Sequence, residues 1–144
     1  TYSVSGHEFD KTGETSGILT GGNLSILYAL SDSVSDIDTK GKILFIEDLE
    51  EYLYHIDRMM MQLKRSGKLQ NLAGLIVGGM SNMNDNTVPF GKSAYEIIAE
   101  HVTPYSYPVC FGFPAGHIED NRALIFGREV KLVVSDTGSE LCFE

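Results

Sequence analysis

The sequence has no tryptophan, four prolines and two cysteines, and these shortages narrow what it can be. Cys110 and Cys142 form no CxxC pair, so a disulfide framework, a zinc site and thiol-redox chemistry all lack support. Cys110 sits in an apolar run, where a buried free thiol is expected. This thiol usage fits a cytoplasmic protein. No apolar stretch approaches the roughly 20 residues that a membrane-spanning helix needs; the longest, Leu72 to Met80, suits a buried strand and its turn. Basic residues are scarce too, 11 against 20 acidic, for a formal charge of -9. That balance repels phosphate backbones and anionic lipid, so neither nucleic acid nor a membrane surface is expected as a partner. The chain starts at Thr1 without a signal peptide, and we expect it to be a fragment of a longer protein.

What is present is the composition of an ordinary globular domain: 144 residues, 42% hydrophobic and 22% charged. The first 20 residues read as irregular, with one short strand at Tyr2 to Val4. Asn23, after Gly21-Gly22, is suited to cap a short helix over Leu24 to Leu30, and Ser31 to Lys40 reads as polar loop. Lys42 to Ile46 is strand-like. Asp48 with Glu51 three residues on matches a capping box, and Leu49, Leu53, Ile56, Met60 and Leu63 recur at helical spacing up to Gly67. A second strand is expected at Leu75 to Gly78, a second amphipathic helix at Ser93 to Val102, and a third strand at Pro108 to Gly112. Further β-rich runs lie at Ala123 to Phe126, Val130 to Val134 and Leu141 to Phe143. Alternating strands and helices joined by right-handed crossovers give a parallel core, and the tail adds antiparallel strands. The expected fold is α/β with a mixed sheet.

In parallel sheets, ligands gather outside the carboxyl ends of the strands. Glu47 ends the first core strand, and His117 follows the third in Phe113-Pro114-Ala115-Gly116-His117. Both should emerge at one sheet edge. A carboxylate there can fix the imidazole tautomer and stabilise its protonated form, which is half of a nucleophilic triad. Each residue has a plainer reading: Glu47 as support for a helix start, His117 as an exposed bystander. His7, His55 and His101 read as structural or solvated, and no ligand cluster has metal spacing. For the nucleophile there is no GxSxG elbow. Ser81 in Gly79-Met80-Ser81-Asn82-Met83 comes nearest, on a polar loop that is a poor mount, and Cys110 lies inside a strand. Gly21-Gly22-Asn23 is too short for a phosphate loop and has no lysine.

Leu19-Thr20-Gly21-Gly22-Asn23-Leu24, Lys42-Ile43-Leu44-Phe45-Ile46-Glu47-Asp48, Ile56-Asp57-Arg58, Gly116-His117 and Asn121 occur in this order. The series resembles the C-terminal half of the LD-carboxypeptidases, the muramoyltetrapeptide carboxypeptidases, from about Gly17 to Gly127. The resemblance implies a swivelling β/β/α domain that supplies the Glu and His of a Ser-Glu-His triad, here Glu47 and His117. It implies a serine nucleophile on a separate flavodoxin-like N-terminal domain of the same protein, expected upstream of Thr1. The implied reaction releases a terminal D-amino acid, typically D-alanine, from a murein tetrapeptide, and calls for no cofactor. One branch of the family confers self-immunity to a peptide-nucleotide antibiotic by cleaving a different amide. Asn23 and Arg58 fall on family motifs: Asn23 reads as a helix cap or organiser of the site, Arg58 as a structural ion-pair partner. Family members commonly pair, so a homodimer is an open expectation. The rival reading, from another class, is a non-catalytic α/β ligand-binding module in which Glu47 and His117 are incidental.

Overall fold

The computed structural model describes every residue from Thr1 to Glu144. In chain order the elements are β1 (Tyr2–Ser5), β2 (Gly13–Asn23), α1 (Leu24–Leu30), β3 (Ile43–Leu49), α2 (Leu53–Arg65), β4 (Gly74–Ser81), α3 (Ala94–Val102), β5 (Val109–Cys110), β6 (Glu129–Ser135) and β7 (Gly138–Phe143). They build one seven-stranded sheet in the order β1-β7-β6-β2-β3-β4-β5. Strands β2 to β5 run parallel, while β6, β7 and β1 are antiparallel additions. The mixed α/β sheet with a parallel core and antiparallel C-terminal strands is therefore present.

Strand β2 joins the two halves. Its residues Gly13–Ile18 pair antiparallel with β6, and Leu19–Asn23 pair parallel with β3. The backbones approach so closely that a Cβ on Gly21, at φ +130°, would lie 1.9 Å from the Phe45 carbonyl oxygen. Just before β2, Lys11 exchanges both backbone hydrogen bonds with Val109, tying the β5 edge back to the start of β2.

The burial pattern follows from this arrangement. Ile43 to Ile46 are all buried, because β3 is covered on both faces. Leu44 and Ile46 join Ile56, Met60, Leu63, Ile97 and Ile98 in a core under the helices. Ile43 and Phe45 join Leu19, Val130, Leu132 and Leu141 in a second core between the parallel strands and the antiparallel ones. Two β layers and one helical layer result.

The helix ends show why the helices start and stop where they do. The Asn23 side chain accepts the Ile26 N–H at 3.1 Å and caps α1 as expected. Ser93 and Glu96 form a reciprocal capping box on α3. Gly67, at φ +78°, ends α2 with its N–H on the Lys64 carbonyl while the Lys68 N–H reaches the Leu63 carbonyl, a Schellman motif.

Four expectations need correction. Residues 13–20, read as irregular, belong to the longest strand, Gly13–Asn23; their polar, glycine-rich composition conceals a strand flanked on both sides. Asp48 does not cap α2. Strand β3 continues through Leu49, and α2 begins at Leu53 with no side-chain cap. Ala123 to Phe126 form no strand, although Leu124 packs on the second core and the Phe126 ring lies 6.1 Å from Phe45. The third strand is shorter than expected, Val109–Cys110 only.

Candidate active site

The carboxyl ends of β2 and β3 bring the side chains of Asn23, Glu47 and Asp48 to one place. Asn23, last in β2, stands directly opposite Glu47 in the parallel ladder. Two steps along β3 from Ile46 to Asp48 match three along β4 from Val77 to Met80, so the register slips at Glu47. Bulges of this kind re-aim side chains where pairing ends.

The segment carrying His117 is guided by β4 at alternate residues. The Phe113 N–H meets the Val77 carbonyl at 3.0 Å, and the Gly79 N–H meets the Ala115 carbonyl at 3.0 Å. The Ser81 hydroxyl then donates to the His117 carbonyl at 2.6 Å. Asn121 turns back to accept the Gly116 N–H at 3.0 Å. Gly116 itself has φ +113°, and a Cβ there would lie 2.7 Å from Glu47 Oε2. Only glycine permits this approach.

His117 and Glu47 meet as the sheet-edge argument expects. His117 Nδ1 lies 2.8 Å from Glu47 Oε2. A carboxylate can only accept, so Nδ1 carries the proton and Nε2 is the ring's free base. The Glu47 side chain is buried, whereas that of His117 is 52% exposed. Its hydrogen bond to Glu47, and then the Glu47 charge, raise the His117 pKa above its ordinary value, with a smaller push from Asp48. The other Glu47 oxygen, Oε1, accepts from Asn23 Nδ2 at 3.2 Å. This buried carboxylate, oriented imidazole and free exposed nitrogen can together take up and return a proton at the sheet edge.

This geometry belongs with a sequence match. The family model for the LD-carboxypeptidase C-terminal domain covers residues 16–132. The chain belongs to that family. A probable murein peptide carboxypeptidase of Bacillus subtilis is 36% identical over 120 residues, spanning 83% of this chain and 38% of the relative. The Microcin C7 self-immunity protein MccF of Escherichia coli is 28% identical over 128 residues, spanning 88% of this chain and 36% of the relative. The solved muramoyltetrapeptide carboxypeptidase from Oxalobacter formigenes superposes with a TM-score of 0.87 at 29% identity, covering 99% of this chain and 49% of that one. The chain thus spans well under half the length of the curated relatives it matches.

The remaining candidates of this LD-carboxypeptidase-family chain stand outside the Glu47–His117 pair. Ser81 stands near the site, but its hydroxyl proton is committed to the His117 carbonyl rather than the ring. Cys110 is buried, and burial pushes its thiol up to about 12, far from a reactive thiolate. His101 is buried on α3 with Nε2 2.7 Å from Asp57, and His55 pairs with Glu51 at 2.8 Å; both serve helix contacts. His7 stacks against Phe111. Arg58 makes no ion pair. Its guanidinium lies over the Tyr54 ring at 5.4 Å, correcting the expected role. No group of three His, Cys, Asp or Glu side chains is arranged to hold a metal.

A cavity of about 510 Å³ adjoins the site at the end of β4, lined by residues including Leu53, Met80, Ser81, Met83, Tyr95 and Ile118. Tyr52, Tyr54 and Met61 are exposed, while Met59 is buried. No helix is long and apolar enough to cross a membrane. Sequence reasoning did not find the place of Asp48, which is almost wholly buried beside Asn23. Its partners lie more than 20 residues upstream in sequence, at Asn23 and Ser25, so no local pattern signals them.

Proposed function

We propose that this chain is the C-terminal domain of a serine-type LD-carboxypeptidase that removes a terminal D-amino acid, typically D-alanine, from murein tetrapeptides. Glu47 and His117 are two members of its Ser-Glu-His triad. The serine comes from an N-terminal domain of the same protein. The observation that carries this reading is the 2.8 Å contact between the buried Glu47 carboxylate and the exposed His117 ring. The length of the relatives, of which this chain spans 38% in the Bacillus case, supports a second domain.

In this mechanism His117 Nε2 takes the proton of the serine hydroxyl as it attacks the amide carbonyl. Glu47 holds the Nδ1–H and stabilises the imidazolium that forms. The same Nε2–H then passes to the leaving D-amino acid nitrogen. Backbone amides of the N-terminal domain supply the oxyanion hole. Asn23 organises the site by holding Glu47.

The test is D-alanine release from a murein tetrapeptide by the protein carrying both domains. His117→Ala and Glu47→Ala should each lower turnover by roughly 10³–10⁴-fold, the histidine loss at least as severely. The 144-residue chain alone should release none. Release by this chain that vanishes in Ser81→Ala would overturn the reading. The likeness to MccF favours one second reading, in which the same residues cleave a peptide-nucleotide antibiotic in self-immunity. Comparing the two substrates in the same assay separates them.

A further inference from the structure

Asp48 is a charged side chain only 2% exposed, directly behind the Glu47–His117 pair. Both of its oxygens are hydrogen-bonded. Oδ1 accepts from Asn23 Nδ2 at 3.0 Å and from the Leu49 N–H at 2.9 Å. Oδ2 accepts from the Ser25 N–H at 2.9 Å and the Ser25 hydroxyl at 2.7 Å. An ionised carboxylate offers about four acceptor positions; three face N–H donors here, and the Ser25 hydroxyl at the fourth also lies 2.8 Å from Glu51 Oε1, so its one proton is shared between two carboxylates. Consecutive residues of a regular strand point to opposite faces, yet Glu47 and Asp48 both reach the one amide of Asn23 where the ladder slips.

That amide has a single workable orientation. Its N–H bonds go to Glu47 Oε1 and Asp48 Oδ1, and its oxygen accepts from the Ile26 N–H. Flipping it would set oxygen against two carboxylates and N–H against N–H. Asp48 therefore holds one of the amide's two protons and leaves the other aimed at Glu47. Resting on the triad reading above, we propose that Asp48 is a positioning residue for His117, acting through Asn23 and Glu47. Asp48 touches neither the imidazole nor the open edge. Its effect is to deny Glu47 Oε1 any arrangement but the one that leaves Oε2 on the ring.

A merely structural Asp48 would change stability alone, so the test reads the histidine. In the 144-residue chain, the downfield Nδ1–H resonance of His117 should shift upfield and broaden in Asp48→Asn. In the two-domain protein the same variant should lose on the order of 10- to 100-fold in kcat with KM little changed. The decisive comparison is the double variant. Once Asn23→Ala has removed the link, Asp48→Asn should move the His117 resonance far less than it does with Asn23 in place, leaving only the small direct push of its charge. An undiminished effect in that background would mean that Asp48 acts by its charge alone, and overturns the proposal. So does an Asp48→Asn chain that melts earlier while resonance and kcat stay unchanged. Should Asp48→Asn not fold, Ser25→Ala removes only one of its donors and should shift the resonance the same way by less; no shift there is equally fatal. Because the resonance is read without substrate, it stands apart from the triad assignment, which fails separately if Glu47→Gln leaves hydrolysis intact.

Discussion

Glu47 Oε2 meets His117 twice, accepting from its backbone N–H at 3.2 Å and from its ring Nδ1 at 2.8 Å. One oxygen thereby fixes both where the residue sits and how its ring is turned. The exposed imidazole owes its orientation to a buried partner, the arrangement on which the proposed triad relies.

The pair sets a pH dependence with a definite sign. The hydrogen bond from Glu47, and then its charge, raise the folded pKa of His117 above the ordinary value of about 6.5. A general base works when neutral, so the acid limb of kcat/KM in the two-domain protein should lie above that value. Glu47→Gln should move the His117 titration downward, as followed by NMR in the isolated chain. For stability, the pair's contribution is full below the unfolded pKa and is lost as pH rises through the folded one. A titration lying at or below the ordinary value would contradict this account.

Gly116→Ala should damage the site more than its size suggests. The new methyl carbon would lie 2.7 Å from Glu47 Oε2, at a backbone φ of +113°. We expect a stability loss of about 1–3 kcal/mol from the strained backbone and a weakened His117 Nδ1–H signal. Thermal melting and the NMR spectrum check the two halves. A variant with wild-type melting and spectrum would show that the loop has slack.

Ser81→Ala distinguishes a loop anchor from a nucleophile. The hydroxyl gives one hydrogen bond to the His117 carbonyl, and such bonds are worth about 1 kcal/mol net. Turnover in the two-domain protein should fall by no more than roughly tenfold. A loss of several orders would place Ser81 in the chemistry.

The sequence disclosed most where the cause is local. Asn23 reads as a helix cap because an Asx side chain before an apolar run satisfies the next turn's N–H groups, and it does so. That Glu47 and His117 share one sheet edge is legible by position, since each follows an apolar strand run. Asp48 misleads for the same reason that Asn23 does not. Asp48 and Glu51 fit a local capping pattern, but the strand continues and Asp48 turns to Ser25 and Asn23 instead. Residues 13–18 carry little strand character of their own. Pairing with β6 from the far end of the sequence makes them a strand. The apolar run Ala123 to Phe126 shows the converse, having side chains that pack but no neighbour to pair with.

The two halves of β2 also differ in when they can form. Leu19–Asn23 can pair with β3 soon after synthesis, whereas Gly13 waits for Val134. At roughly 5–20 residues per second on the ribosome, that wait lasts many seconds. A strand edge left open so long invites pairing with other chains. Gly13-Glu14-Thr15-Ser16-Gly17 is a poor template for such pairing, being polar, charged and glycine-rich. The same composition that disguises β2 as a loop makes its open edge a poor template for aggregation until β6 arrives.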